Sequence, residues 1–182
     1  MALYKDRYRV ESTRLRYWNY ASKGYYYITI CTKNRKCYFG DIIDNEMVLS
    51  KIGKTAYHYW QEIPNHFSFV QLDEFVIMPN HMHGIIIIVK QDVETPKLGV
   101  STMGTNICTK NKYWKPGNLG VIINQYKRKC TIESHKINPY FGWQSRFYDH
   151  IIRNNQDLFR IQKYIQNNPW EWQDYNFFSN VR

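Results

Sequence analysis

Residues 72–89 read LDEFVIM, PN and HMHGIIIIV, and they set the architecture of this 182-residue chain. The segment predicts two strands, 72–78 and 81–89, joined by a turn at Pro79-Asn80, because proline and asparagine favour turns. The unbroken isoleucine run after Gly84 is typical of a strand buried in a sheet. Two strands with so short a connection pair antiparallel.

The remaining elements follow from the spacing of apolar residues and from turn and cap residues. Residues 25–32, YYYITICT, predict another strand because β-branched and aromatic side chains favour strands. The other predicted elements are a short hairpin at 41–49, a helix from Ser50 to Pro64, a helix from Asn118, a strand at 147–152, and a helix from Asn154 or Asn155 that ends at Pro169. This order predicts an α+β fold, in which an antiparallel sheet carries its helices on one face.

The chain length fits a single domain covering residues 1–182. Within it we expect a basic N-terminal arm over about residues 1–23 and a mobile loop over about residues 91–117. No apolar run approaches the roughly 20 residues that a membrane span needs, and residues 1–9 lack the pattern of a secretory signal. Four cysteines without a C-x-x-C pair indicate free thiols, so we expect a cytoplasmic protein without membrane contacts.

Charge and aromatic content favour a nucleic-acid partner. The chain has 25 Lys and Arg against 15 Asp and Glu, a net charge of +10, and 16 tyrosines. Basic groups replace the counterions of a phosphate backbone, and aromatic rings stack on unpaired bases. His150 could orient a phosphate or simply pack. Taken singly, each basic candidate is also consistent with a solvated surface charge; the candidates for DNA contacts are Arg14, Arg16, Lys127, Arg128, Lys129, Arg146 and Arg153.

His81 and His83 are the candidate metal ligands. In a strand, residues two apart point to the same face and lie roughly 6.5–7 Å apart, which suits two imidazoles that bind one metal ion. The alternative is two histidines that merely occupy a half-exposed strand end. Two imidazoles leave most of a six-coordinate shell open, so a third protein ligand and water or phosphate oxygens are expected.

The third predicted helix offers that ligand together with a nucleophile. Tyr164 and Asn168 are four residues apart and therefore share a helical face. If that face is turned toward the histidines, Asn168 supplies an amide oxygen to the metal ion, and the Tyr164 hydroxyl lies near a phosphate bound to the same ion. Its attack on phosphorus would form a covalent phosphotyrosine. Core packing is the alternative role for Tyr164, and a helix C-terminal position is the alternative for Asn168.

Three blocks of this sequence resemble a known family. The segment VIMPNHMHG at 76–84 resembles the signature strand of the HUH single-tyrosine transposases. The segments WQSRFYDHIIRN at 143–154 and YIQNNP at 164–169 are similar to the closing part of REP-associated tyrosine transposases, and YITICTKNR at 27–35 also fits. The blocks occur in the right order and span nearly the whole chain.

The resemblance implies a ferredoxin-like α+β fold and a Mg²⁺ or Mn²⁺ ion. It also implies an enzyme that cleaves and rejoins single-stranded DNA, often near a hairpin, through a 5′-phosphotyrosine and a free 3′-OH. His81 and His83 would then be metal ligands, Asn168 the third ligand and Tyr164 the nucleophile. The implied activity is that of a DNA transposase.

Other readings remain open at this stage. Related insertion-sequence transposases carry the tyrosine on another helix, so Tyr126 competes with Tyr164, although its partner four residues on is Cys130, a poor ligand for a hard cation. Tyr148 on a strand is a third contender.

As a function, a non-catalytic module that binds single-stranded nucleic acid by stacking is the alternative. A rolling-circle or relaxase nuclease is a third reading, and monomer and homodimer are equally open.

Overall fold

The computed structural model describes Leu15, residues 17–89 and residues 118–179, with side chains to Trp172. Arg14, Arg16 and the expected loop at 91–117 lie outside the described residues, as does most of the expected arm. A 3-10 turn spans Lys33–Arg35. The strands and helices are β1 (Gly24–Cys31), β2 (Gly40–Ile43), β3 (Glu46–Leu49), α1 (Lys51–Gln61), α2 (Ile63–His66), β4 (Val70–Met78), β5 (His81–Ile88), α3 (Leu119–His135), β6 (Tyr148–Ile152) and α4 (Asn155–Ser179).

The main sheet has four strands in the order β4-β5-β1-β6. Every neighbouring pair is antiparallel. The order β1, α1, β4, β5, α3, β6 along the chain is the βαββαβ arrangement of a ferredoxin-like fold. The predicted α+β class and antiparallel sheet are therefore confirmed. The predicted hairpin is also present, as the separate two-stranded sheet β2-β3 between β1 and α1.

Helices cover both faces of the main sheet, and this corrects the expectation that all of them lie on one face. Ile86 and Ile88 of β5 belong to a core cluster that includes apolar residues of α1 and α3. Ile85 packs in a second cluster with Ile161 and Ile165 of α4. Successive strand residues point to opposite faces. Because the isoleucine run makes both faces of β5 apolar, both faces need a cover, and α4 covers the second one.

The helix starts follow the predicted caps. Ser50, Asn118 and Asn154 each accept a hydrogen bond at their side-chain oxygen from a first-turn backbone N–H, at 3.0, 2.9 and 2.8 Å. Such caps satisfy donors that have no partner inside the helix, which stabilises each helix by about 1 kcal/mol. The segment that follows each cap residue is therefore helical from its first turn.

Pro64 and Pro169, which were each predicted to end a helix, occupy different positions in the structure. α1 ends at Gln61, and Pro64 lies in the first turn of the short helix α2, where its missing N–H is not needed. Pro169, in contrast, lies inside α4, which continues to Ser179. The prediction that Pro169 ends this helix is wrong. A proline inside a helix removes one backbone hydrogen bond and its ring crowds the carbonyl four residues earlier; here the helix nevertheless continues, and Ile165 in the preceding turn packs in the second core cluster.

Gly84 lets a large side chain lie close to the middle of the sheet. A Cβ atom at this position would lie 2.5 Å from Cζ2 of Trp60, a residue of α1 that is fully buried. The close approach of α1 to β5 thus depends on a residue without a side chain. None of the helices in the described part of the chain is long and apolar enough to cross a membrane.

Candidate active site

His81 and His83 lie at the beginning of β5, on the face that α4 covers. Their Nε2 atoms are 3.0 Å apart, and the two residues are 8% and 5% exposed. The turn that precedes them is fixed by Thr32, whose hydroxyl donates to the carbonyl of Asn80 at 2.9 Å and to that of Lys36 at 2.7 Å. Two imidazoles therefore converge on one point from a rigid strand.

The hydrogen bonds behind the imidazoles orient their lone pairs. Nδ1 of His81 lies 2.8 Å from Oδ1 of Asn80, an oxygen that only accepts. Nδ1 of His83 lies 2.7 Å from the hydroxyl of Tyr27 and 2.9 Å from that of Thr29. With the proton on Nδ1 in both rings, both Nε2 atoms present a lone pair. This is the arrangement that a histidine metal ligand requires.

The protonation state fits the same role. Burial, followed by the charge of Arg35, lowers the pKa of His81 to about 4. Burial also lowers the pKa of His83 to about 3, with further contributions from the neighbouring His81 and from Arg35. Both imidazoles are therefore neutral at pH 7, which is the form that binds a metal ion.

Tyr164 and Asn168 of α4 face the histidines. The Tyr164 hydroxyl lies 3.5 Å from Nε2 of His83, and the residue is 38% exposed. Asn168 is 6% exposed and lines the same cleft as the two histidines. The structure thus brings together the four residues that the sequence singled out, and all four line one cleft between β5 and α4.

Tyr126 lies on the other side of the sheet. It is 3% exposed, and its hydroxyl donates to the carbonyl of Ala56 and to the sulfur of Met82, both at 3.1 Å. Met82 separates His81 and His83 along β5 and points away from them, because side chains alternate between the faces. This position excludes Tyr126 from the histidine cluster. Tyr148 lies on the α4 face of β6, with its ring centroid 6.3 Å from that of Tyr27.

The histidines and Tyr164 line a cleft of about 410 Å³. Its wall includes Arg35, which the sequence did not single out as a site residue. Pairing of β1 with β5 places Cys31 opposite His81, so the turn after β1 borders the start of β5. That pairing is the signal that could have found Arg35. A guanidinium there is suited to a phosphate. The other lining residues are Thr29, Cys31, Asn80, Asn168, Glu171 and Trp172.

The donor atoms fit a hard divalent cation that keeps part of its shell for other oxygens. In the described ranges, no group of three or more His, Cys, Asp or Glu side chains is placed to hold a metal ion. Among the residues that line the cleft, the groups that could bind such an ion are the imidazoles of His81 and His83 and the side-chain amide of Asn168. A cation bound by so few protein atoms fills its remaining positions with water or with phosphate oxygens, as Mg²⁺ does at phosphate-processing sites.

The basic candidates for DNA contacts are scattered. Lys127 donates to the carbonyls of Gln144 and Arg146 at 2.8 and 3.0 Å, and so fastens α3 to the segment before β6. Burial lowers the pKa of Lys127 to about 8. Arg128 and Lys129 line a groove formed with α1 and α2, on the face away from the histidines. Their roles in DNA binding stay predictions, as do those of Arg146 and of Arg153, which is exposed directly after β6.

Three comparisons with known proteins bear on this chain. No protein-family model matches the chain. An uncharacterized protein of Haemophilus influenzae is 40% identical over 163 residues, which covers 89% of each chain. The solved structure of a REP-associated tyrosine transposase bound to a REP hairpin matches with a TM-score of 0.59 at 20% identity, over 88% of this chain and 74% of that one. At this identity the likeness establishes a shared fold.

Proposed function

We propose that this chain, which belongs to the same family as the Haemophilus influenzae protein, is a transposase-like enzyme that cuts and rejoins single-stranded DNA with Tyr164 as its nucleophile. One observation carries the proposal. The Tyr164 hydroxyl lies 3.5 Å from Nε2 of His83, which itself lies 3.0 Å from Nε2 of His81. The fold that the chain shares with a REP-associated tyrosine transposase supports it.

The metal-binding part of the proposal rests on His81, His83 and Asn168, which would hold Mg²⁺ or Mn²⁺. An ion bound by these three residues would polarise the phosphodiester and stabilise the charge that develops on its oxygens. The hydroxyls of Tyr27 and Thr29 lie within hydrogen-bond distance of Nδ1 of His83, and as acceptors from an Nδ1–H they would leave Nε2 free for the ion. Arg35 supplies a fixed positive charge beside the same cleft.

The proposed chemical step is an exchange of one phosphate ester for another. The phenolic oxygen of Tyr164 attacks phosphorus and loses its proton to solvent, and a new oxygen–phosphorus bond forms. The bond from phosphorus to the 3′ oxygen breaks, and that oxygen leaves as a 3′-OH after taking up a proton. The product is a 5′-phosphotyrosine. Attack by another 3′-OH reverses the step and joins a new strand without an external energy source.

The proposed substrate is single-stranded DNA that contains a hairpin. The net charge of +10 favours a nucleic-acid backbone, and the transposase that shares this fold was solved with a REP hairpin. A non-catalytic module is the alternative. Ferredoxin-like modules that bind single strands stack bases on an open sheet face, whereas here α4 packs over strands β1, β5 and β6 through the second core cluster. The covered sheet face therefore favours the enzyme over the non-catalytic binding module.

A covalent-adduct assay tests the proposal. The protein is incubated with Mn²⁺ and a set of hairpin-bearing single strands labelled at the 3′ end, because a 5′-phosphotyrosine retains the 3′ fragment. We expect a labelled band at the mass of protein plus fragment on a denaturing gel. Tyr164→Phe and removal of the metal by EDTA abolish this band. The matched variants Tyr126→Phe and Tyr148→Phe retain it. An adduct that survives Tyr164→Phe refutes the assignment of the nucleophile.

The alternative module makes a different prediction for the same proteins. If the chain only binds single strands, binding persists without metal and no adduct forms with any hairpin. In that case His81→Ala and Tyr164→Phe leave the dissociation constant unchanged. An adduct that depends on Tyr164 removes this alternative.

A further inference from the structure

A second groove lies on the other side of Tyr164 from the histidine cleft. It has a volume of about 330 Å³ and is lined by Tyr27, Tyr148, His150, Arg160, Ile161 and Tyr164. Tyr164 also lines the histidine cleft. Tyr164 thus forms part of the wall of both the cleft and the groove. A DNA strand whose phosphate lies at the Tyr164 hydroxyl could therefore extend into each of them.

The floor of this groove is aromatic and open to solvent. β6 is an edge strand of the main sheet, and Tyr148 and His150 point to its α4 face because Ile152, two residues further on, belongs to the second core cluster. Tyr148 is 50% exposed. Its ring meets that of Tyr27 edge to face at 6.3 Å, and Tyr27 meets Tyr164 in the same way at 6.4 Å. These tyrosines form a continuous row that leads from the edge of the sheet to the nucleophile.

The wall of the groove carries one cation, the Arg160 guanidinium, and Asp157 contacts both it and His150. One carboxylate oxygen of Asp157 lies 2.7 Å from Nε2 of His150, and the other lies 2.6 Å from Nη2 of Arg160. These two hydrogen bonds lower the pKa of Asp157, so the carboxylate stays charged. The Arg160 side chain is 71% exposed. A guanidinium has five N–H donors, and Arg160 precedes Tyr164 by one helical turn on the same face of α4.

We infer that this groove binds the unpaired nucleotide next to the phosphate that Tyr164 attacks, with its base stacked on Tyr148 and its own phosphate bound by Arg160. The inference rests on the proposed function, because it takes Tyr164 as the point of attack. A phosphodiester in a strand has a nucleotide on either side, and the groove is adjacent to Tyr164 and opens at a sheet edge. Stacking tolerates any base, because every base has an aromatic face. His150 and Asp157 act as positioning residues that keep Arg160 in reach.

Binding of short single-stranded DNA tests the stacking contact without any chemistry. Fluorescence anisotropy is measured without added metal, at fixed salt. Because a stacked base contributes a factor of about 5 to 140 in affinity, Tyr148→Ala weakens binding by that factor, whereas Tyr148→Phe keeps the ring and the affinity. Tyr140→Ala is the matched control, since Tyr140 is 82% exposed and does not line the groove. Arg160→Ala lowers the salt dependence of binding by about one phosphate contact.

An abasic scan links this contact to the cleavage position. A single abasic nucleotide is moved along the strand, and wild-type protein and Tyr148→Ala are compared. We expect one position beside the cleaved bond at which the abasic site weakens wild-type binding but weakens Tyr148→Ala no further. Thermal unfolding confirms that the variant is folded, as expected for a half-exposed residue on an edge strand.

The outcomes separate this inference from the proposed function. If Tyr148→Ala leaves the affinity unchanged, or if the losses are additive at every abasic position, the groove does not bind this nucleotide. A Tyr164-dependent adduct in the same experiments would still support the proposed function. If no adduct forms but the coupling between Tyr148 and one base persists, the proposed function fails and the groove is supported as a binding site for single strands. Coupling beside the cleaved bond together with a Tyr164-dependent adduct supports both.

Discussion

Replacing Gly84 by alanine tests the packing that positions β5 beneath α1. The added Cβ would lie 2.5 Å from Cζ2 and 3.0 Å from Cε2 of Trp60, and 3.2 Å from Cβ of Phe75. Carbon atoms in contact prefer about 3.5–4.0 Å, so the indole must move by about 1 Å. Trp60 has no room for this movement, because it is 0% exposed and packed between Phe75 and Tyr126, at centroid distances of 6.1 and 5.3 Å.

The size of the effect follows from the cost of overpacking a close-packed interior. Forcing an extra carbon into a filled core costs about 1–3 kcal/mol of the free energy of unfolding. In a domain of this length each kcal/mol lowers the melting temperature by about 2–4 °C. We therefore expect Gly84→Ala to melt about 2–12 °C below the wild type.

Circular dichroism during heating, together with guanidinium unfolding, measures the change. Gly24→Ala is the matched control, because a Cβ there meets only side-chain atoms of Tyr26 at 3.6 Å or more, an ordinary contact. Trp60→Phe provides a second test. Since phenylalanine lacks the clashing atoms, the double variant Gly84→Ala/Trp60→Phe loses less stability than the sum of the single changes. An unchanged melting temperature for Gly84→Ala, or strict additivity with Trp60→Phe, refutes this reasoning.

Three further predictions concern the hydroxyls behind the His83 imidazole, the buried Tyr126 and the cap of α3. Tyr27→Phe alone leaves Thr29 as an acceptor for Nδ1 of His83, so Mn²⁺ affinity measured by calorimetry changes little. Tyr27→Phe/Thr29→Val removes both acceptors and weakens Mn²⁺ binding about 10- to 100-fold, and equal affinity in the two proteins would contradict the role of these hydroxyls. Tyr126→Phe removes one buried hydrogen bond, to a carbonyl of α1 that also accepts within its helix, and costs about 0.5–1.5 kcal/mol in a denaturant titration without loss of the Tyr164 adduct; loss of the adduct in the folded variant would overturn the placement of Tyr126. Asn118→Ala removes the cap of α3 and costs about 1 kcal/mol in the same titration, whereas Asn118→Ser costs little, and equal losses for the two would argue against the cap.

Much of the fold was accessible from local patterns. The alternation of strand residues placed His81 and His83 on one face, and the helical repeat placed Tyr164 and Asn168 on another common face. Cap residues located the beginnings of the helices, because the first-turn N–H groups need acceptors wherever the helix lies. The same kind of reasoning failed at Pro169, because the helix continues through this residue to Ser179 although a proline removes a backbone hydrogen bond and its ring crowds the preceding turn.

Only the tertiary structure shows which tyrosine lies beside His81 and His83. Tyr126 and Tyr164 both lie on amphipathic helices, and periodicity shows which side of a helix is apolar but not which face of the sheet it meets. That assignment depends on α3 and α4 packing on opposite sides of β5, which is a long-range choice. Arg35 joined the site for a similar reason, through the pairing of β1 with β5. The sequence by itself therefore determined the direction of each side chain within its own strand or helix. Only tertiary packing decided which of these directions converge, because convergence depends on contacts between residues far apart in the chain.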